Sequence, residues 1–159
     1  MLRSCRHPVT NQEVFIHPHP IHIVGDEYAR ARNELVHLVF QMEKDITAQA
    51  QAEENERATQ TGRRPGRAQA FKFDYIFWVD DDTMVPEDAI EQLLRPQAPI
   101  VSGLYFMRKP PYLPVAYKNV DDPAHPDRFW NLTAYPENAV IEIDAVGMGC
   151  VLIETDVFR

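Results

Sequence analysis

Three consecutive carboxylates, Asp80-Asp81-Asp82, follow the bulky apolar run Tyr75-Ile76-Phe77-Trp78-Val79 and lead into Thr83-Met84-Val85-Pro86-Glu87-Asp88-Ala89, which opens a helix. A β-branched and aromatic run of this kind reads as a buried strand, and open α/β sheets place their ligands at the carboxyl ends of strands. Alternation along the strand points Asp80 and Asp82 to one side and Asp81 away. Two carboxylates sharing a side repel each other unless a cation lies between them or one takes up a proton. Hard divalent ions such as Mg²⁺ or Mn²⁺ prefer such oxygen ligands. The triplet therefore reads as an Asp-x-Asp metal site. Helix capping competes with that reading, because Asp and Thr are good N-cap residues and Pro86 fits a first turn; capping explains one Asp and not three.

The elements that must position these carboxylates follow from periodicity and turn residues. From Gly25 or Asp26 onward, Tyr28, Ala29, Leu35, Val36, Val39, Phe40 and Met42 recur near helical spacing, which predicts a helix of roughly 18 residues. Positions 45–70 are rich in Gln, Ala, Glu and Thr and close with Thr61-Gly62-Arg63-Arg64-Pro65-Gly66-Arg67. Their apolar stripe is thin, so they are expected to form a continuing or frayed helix followed by a mobile loop. Arg57, Arg63, Arg64 and Arg67 read as a solvent-facing charge run, with a pyrophosphate or an acidic partner as the alternative.

Beyond the carboxylates, a helix over about Pro86–Leu94 must end before Pro96. Ile100–Phe106 reads as a further buried strand in which Gly103 allows close backbone approach to a ligand. Val115–Tyr117 and Phe129–Leu132 are short strand candidates. Val140–Val146 alternates up to Gly147-Met148-Gly149, and Cys150–Ile153 form another strand. Near the start, Val14-Phe15-Ile16 is a weak strand candidate. The plan is mixed α/β without internal repeat.

Composition narrows the function classes. The 159 residues suit one domain, and 45% hydrophobic residues can build a core. A formal net charge of −8 argues against nucleic acid as a partner, since phosphate contacts need a basic face. A nucleoside diphosphate remains compatible, because a bound metal would neutralise its phosphates. The two cysteines, Cys5 and Cys150, suggest no disulfide framework. No apolar stretch reaches the roughly 20 residues of a transmembrane segment, and the amino terminus lacks a signal-peptide core, so a cytoplasmic location is expected. His17, His19 and His22 are close in sequence, but prolines intervene and no further ligand has zinc-site spacing. Asn131-Leu132-Thr133 has the form of a glycosylation acceptor and is taken as chance.

Several pieces in order resemble a known family. Phe73 through Asp82, the following Val85 through Leu94, Ile100 through Tyr105, an upstream Ala31-Arg32-Asn33-Glu34-Leu35-Val36 and a downstream Asp144 through Ile153 are together similar to the GT-A type nucleotide-sugar glycosyltransferases. The likeness is to the family 2 group and its small prokaryotic and phage relatives. It spans most of positions 20 to 158, apart from about 45–70, which look like an insertion.

That resemblance implies a GT-A, Rossmann-like mixed sheet flanked by helices. It implies a nucleoside-diphosphate sugar as donor, an unspecified acceptor, and Mn²⁺ or Mg²⁺ as cofactor. By position, Asp80 and Asp82 would be the metal residues, with Asp82 the direct ligand. Arg32, Asp80, Asp81, Gly103, Gly147 and Gly149 would contact the nucleotide sugar. An arginine at position 32 can offer its guanidinium to a phosphate or stack on a base; a surface arginine on an amphipathic helix is the plainer reading. Glycines at 147 and 149 would bring backbone close to sugar hydroxyls, whereas a tight hairpin turn explains them equally well.

Relative to the family, the chain is expected to be incomplete at both ends. The usual catalytic base would lie beyond Arg159, leaving Asp144 or Glu142 as substitutes. Two alternatives stay open: a truncated or degenerate nucleotide-binding module without turnover, and a metal-dependent nucleotidyltransferase. The latter should carry a Gly-rich phosphate loop near its start, and none is found.

Overall fold

The structure, a computed structural model, describes residues 3–6, 13–16, 28–120 and 129–159. The histidines at 17, 19 and 22 and the expected helix start at Gly25 or Asp26 lie outside the described residues. The chain divides into two compact units. One comprises Met1–His17 with Tyr75–Val157, and the other Pro18–Asp74 with Phe158–Arg159.

The second unit is built on α1, Tyr28–Thr61, a single helix of 34 residues. Of the two forms expected past residue 45, a continuing or a frayed helix, the structure has the continuing one. No glycine or proline interrupts Tyr28–Thr61, and Ala, Gln and Glu are strong helix formers. Side chains four apart add support, as in Arg30 Nε to Glu34 Oε1 at 3.1 Å and Gln41 Nε2 to Asp45 Oδ1 at 2.8 Å. The helix stops at Gly62, whose φ of 65° is the left-handed conformation that glycine adopts without steric cost. Arg63 N–H then bonds to Ala58 O at 3.0 Å and Gly62 N–H to Thr59 O at 3.3 Å, the two bonds of a Schellman cap.

The segment after the cap, expected to be mobile, is tethered along α1 by side chains one turn or so apart. Gly66 N–H donates to Glu54 Oε1 at 2.9 Å, and Ala68 N–H to Gln51 Oε1 at 2.9 Å. Further back, Phe71 N–H donates to Thr47 Oγ1 at 2.9 Å and Phe73 N–H to Glu43 Oε1 at 2.8 Å. The thin apolar stripe thus has a physical use: its polar members satisfy backbone groups that otherwise need water or a strand partner. Arg63 of the basic run is paired bidentately with Glu54, at 2.7 and 2.9 Å. Arg159 binds Glu43 at 2.7 Å and lies over the Phe40 ring, 4.9 Å from its centroid, within cation–π range.

The first unit carries β1 (Arg3–Arg6), β2 (Glu13–Ile16), β3 (Tyr75–Val79), α2 (Ala89–Leu94), β4 (Ile100–Ser102), β5 (Ala116–Asn119), β6 (Phe129–Asn131), β7 (Ala145–Val146) and β8 (Cys150–Glu154). A short 3₁₀ turn, Thr155–Phe158, follows β8 and ends at the unit boundary. Among the described residues the strands form three small antiparallel sheets, ordered β1-β2, β3-β8-β4 and β6-β5-β7. The fold is thus mixed helix and strand, α/β in the general sense.

β3 and β4 both run antiparallel to β8, so they point the same way on either side of it, joined through α2. This is a split β-α-β arrangement. Leu93 and Leu94 of α2 form the core with Cys150 and Leu152 of β8, with Tyr75, Phe77, Val101 and Tyr105 packed against them. Each fully buried leucine of that kind contributes about 1.5–3 kcal/mol relative to exposure. α2 begins at Ala89 rather than near Pro86; Ala89 N–H closes a turn on Pro86 O at 3.1 Å. Of the strand expected over Ile100–Phe106 only Ile100–Ser102 pairs with β8, and of that over Val140–Val146 only Ala145–Val146 is strand. Among the described residues no helix is long and apolar enough to cross a membrane.

Candidate functional site

The topology decides which sequence motifs meet. Because β3 and β4 run parallel with β8 reversed between them, the carboxyl ends of β3 and β4 and the start of β8 lie at one end of the sheet. Asp80, Gly103 and Gly149 flank those three strand ends. Asp80 N–H donates to Gly149 O at 3.2 Å, and Gly103 N–H to Cys150 O at 2.9 Å. The pieces that were far apart in sequence are therefore joined by backbone hydrogen bonds.

Beyond Gly103 the chain forms a hairpin that rises beside the carboxylates. Its rungs are Val115 N–H to Tyr105 O at 2.9 Å, the Phe106–Pro114 bridge, and Met107 N–H to Leu113 O at 2.9 Å. The hairpin tip, Lys109 to Tyr112, closes with Tyr112 N–H on Lys109 O at 3.0 Å. This framework fixes Tyr105 and Arg108 opposite the acidic turn, in which Thr83 N–H bonds to Asp80 O at 3.0 Å.

Between these two walls lies an open cleft of about 410 Å³ lined by Asp80, Asp82, Thr83, Met84, Tyr105, Phe106, Met107, Arg108 and Val115. Both alternate carboxylates of the Asp-x-Asp motif line it; Asp81 does not. Arg108 forms an ion pair with the Asp82 carboxylate, and its Nη2 also donates to Asp82 O at 3.2 Å. Both side chains are at least half exposed, so the pair is of the solvent-screened type, worth at most about 1 kcal/mol.

The glycines at 147 and 149 have a definite neighbour. A Cβ at Gly149 would lie 2.9 Å from ring atoms of Tyr105, and one at Gly147 would collide with the Tyr105 hydroxyl and stand 2.6 Å from a methyl of Val115. Gly149 N–H donates to Tyr105 Oη at 2.9 Å. The backbone approach expected toward a sugar is, in this structure, an approach to the Tyr105 ring that walls the cleft. Gly103 likewise makes room for the Cys150 thiol, 3.0 Å from where its Cβ would be. Cys150 is buried, which pushes its thiol pKa up, so it stays a neutral and unreactive packing group.

One expected site residue of the same unit stands apart from the cleft. Asp144 is not among the residues lining the cleft. Its Oδ2 accepts Asn119 N–H at 2.8 Å and stands 3.7 Å from Lys118 Nζ, which fixes the edge of β5 against the chain entering β7. Arg32 belongs to α1, in the other unit. Conversely, sequence reasoning missed Tyr105 as a wall and Arg108 altogether. The Arg108 signal, a cation six residues after a strand-end serine and flanked by a Pro-Pro turn, has meaning only once the hairpin folds it back over Asp82.

The cleft can thus present two carboxylates, a threonine hydroxyl, a tyrosine and a guanidinium to one ligand. Among the described residues no group of three or more His, Cys, Asp and Glu is arranged to hold a metal ion. Two carboxylates nevertheless suit an ion that keeps several waters and takes its remaining oxygens from ligand phosphates, as Mg²⁺ characteristically does. Compared with known proteins, the chain matches no family model, no curated protein and no solved structure.

Proposed function

We propose that this cleft binds a nucleoside-diphosphate sugar through a divalent cation and that the protein is a metal-dependent glycosyltransferase of GT-A type. The observation that carries the reading is the lining of one cleft by Asp80 and Asp82 at the end of a split β-α-β unit. That combination suits an anionic ligand that brings its own cation better than it suits a bare anion, which the two carboxylates would repel.

In this reading Asp80 and Asp82 hold Mn²⁺ or Mg²⁺, and the backbone at Asp80 is anchored by its N–H bond to Gly149 O and by Thr83 N–H on Asp80 O. The cation supplies Lewis-acid stabilisation of the charge that develops on a departing diphosphate. Tyr105, with Phe106 and Met107 beside it, walls the cleft and excludes water from one side of the ligand. Glycosyl transfer further requires a general base to take up the acceptor hydroxyl proton.

One observation favours a second reading, binding of the metal–nucleotide without turnover. Asp144, the expected proton acceptor, is occupied in bonding Asn119 N–H and lies outside the lining of the cleft. Incubation with a panel of UDP- and GDP-sugars and Mn²⁺ separates the two. Release of nucleoside diphosphate that chelator abolishes supports the transferase; tight binding without release supports the module; neither binding nor release removes both.

A further inference from the structure

Arg108 is the single cation among the residues that line the cleft, and it rests on the carboxylate assigned to the metal. Its backbone is anchored, since Met107 and Leu113 close the last rung of the hairpin and Lys109 begins the turn. Its side chain is long, largely exposed, and bound to Asp82 through the carboxylate and the backbone carbonyl. An exposed ion pair of this kind is readily exchanged. A guanidinium fork fits a phosphate as well as it fits a carboxylate, whereas a hard divalent ion competes only for the carboxylate.

We propose that Arg108 is an exchangeable counter-ion: it neutralises Asp82 while the cleft is empty, yields that carboxylate to the divalent cation, and turns to a phosphate of the incoming diphosphate. The inference rests on the reading of the cleft as a metal–diphosphate site. It gives the two ligands a coupling that neither carboxylate supplies. A cation arriving alone must displace Arg108 without offering it a new partner, and a diphosphate arriving alone meets a guanidinium already engaged. Together, each ligand removes the obstacle to the other, and the coupling is necessarily reciprocal. Arg108 is a binding residue in this account, with no covalent step assigned to it.

The test is calorimetric titration of the full chain and its Arg108→Gln and Arg108→Lys variants, first with Mn²⁺ alone and then with UDP and GDP in saturating Mn²⁺. Circular dichroism and a thermal melt verify that the exposed substitutions leave the fold intact. Arg108→Gln should bind Mn²⁺ alone about three-fold more tightly, as expected for removal of an exposed competitor, and bind the nucleoside diphosphate about ten-fold more weakly, the size of a lost charge-assisted bond. Arg108→Lys keeps the charge but not the fork, and should recover only part of the diphosphate affinity. Unchanged or weakened Mn²⁺ binding in Arg108→Gln, or diphosphate affinity equal to that of the unmodified chain, would overturn the exchange while leaving the metal site standing. An unmodified chain that binds neither probe would overturn the cleft reading and this inference with it.

Discussion

The hydroxyl of Tyr105 accepts the amide hydrogen of Gly149 at 2.9 Å, and the carbonyl of the same glycine accepts the amide hydrogen of Asp80 at 3.2 Å. One residue thus ties the wall of the cleft to the first carboxylate of the acidic turn. The relationship needs a glycine, for a Cβ at position 149 would stand 2.9 Å from the Tyr105 ring.

Gly149→Ala should therefore destabilise the first unit by about 1–3 kcal/mol, the usual cost of forcing an extra carbon into a packed contact. Tyr105→Phe, which removes the acceptor for Gly149 N–H, should cost about 1 kcal/mol. Denaturant titration of the two variants checks the order. A Gly149→Ala protein as stable as the unmodified chain would show that the ring does not hold this position.

Legibility from sequence followed the range of the interactions involved. The strand Tyr75–Val79 and the strand opening at Cys150 were readable because apolar runs carry their own burial signal, and they pair residue for residue from Tyr75–Glu154 to Val79–Cys150. The helix Tyr28–Thr61 carries a clear apolar stripe only in its first half, and its continuation was readable from propensity alone, with fraying as the alternative. In that first half Leu35, Val36, Val39 and Phe40 mark the half-buried side, while farther along that side becomes Glu43, Thr47, Gln51 and Glu54, whose use depends on backbone groups many residues away. The cleft divides in the same way. Asp80 and Asp82 announce themselves by spacing, but Tyr105 and Arg108 reach them through a hairpin whose rungs are non-local.

The Glu54 tether predicts a pH dependence in the second unit. The hydrogen bonds from Arg63, and then that from Gly66 N–H, hold the Glu54 carboxyl below its ordinary value of 4.5. A depressed carboxylate contributes stability that is present above its unfolded pKa and lost as pH falls through the folded one. The protection of the Gly66 amide, its exchange measured against the intrinsic rate, should accordingly be constant from neutral pH down to the ordinary carboxylate range and fall in more acidic solution. In Glu54→Gln, whose side chain does not ionise, that acid step should disappear. An acid step that persists in the variant would assign it to another group.

Asp144 is expected to matter for the architecture of β5 rather than for ligand binding. Asp144→Asn keeps an oxygen for Asn119 N–H and should change stability by less than about 0.5 kcal/mol, whereas Asp144→Ala leaves that amide without its partner and should cost about 1 kcal/mol. Neither should alter nucleoside diphosphate affinity. A ten-fold loss of affinity in Asp144→Asn with unchanged stability would contradict the placement of this carboxylate outside the cleft.

The central claim is that Asp80 and Asp82 hold a divalent cation for a diphosphate ligand, and calorimetric titration of UDP and GDP with Mn²⁺ and then with chelator tests it most directly. Saturable binding of one nucleotide that requires Mn²⁺, and that Asp82→Asn abolishes while its circular dichroism spectrum is unchanged, is the predicted result. Binding that survives both chelator and Asp82→Asn, or no binding under any of these conditions, would contradict it.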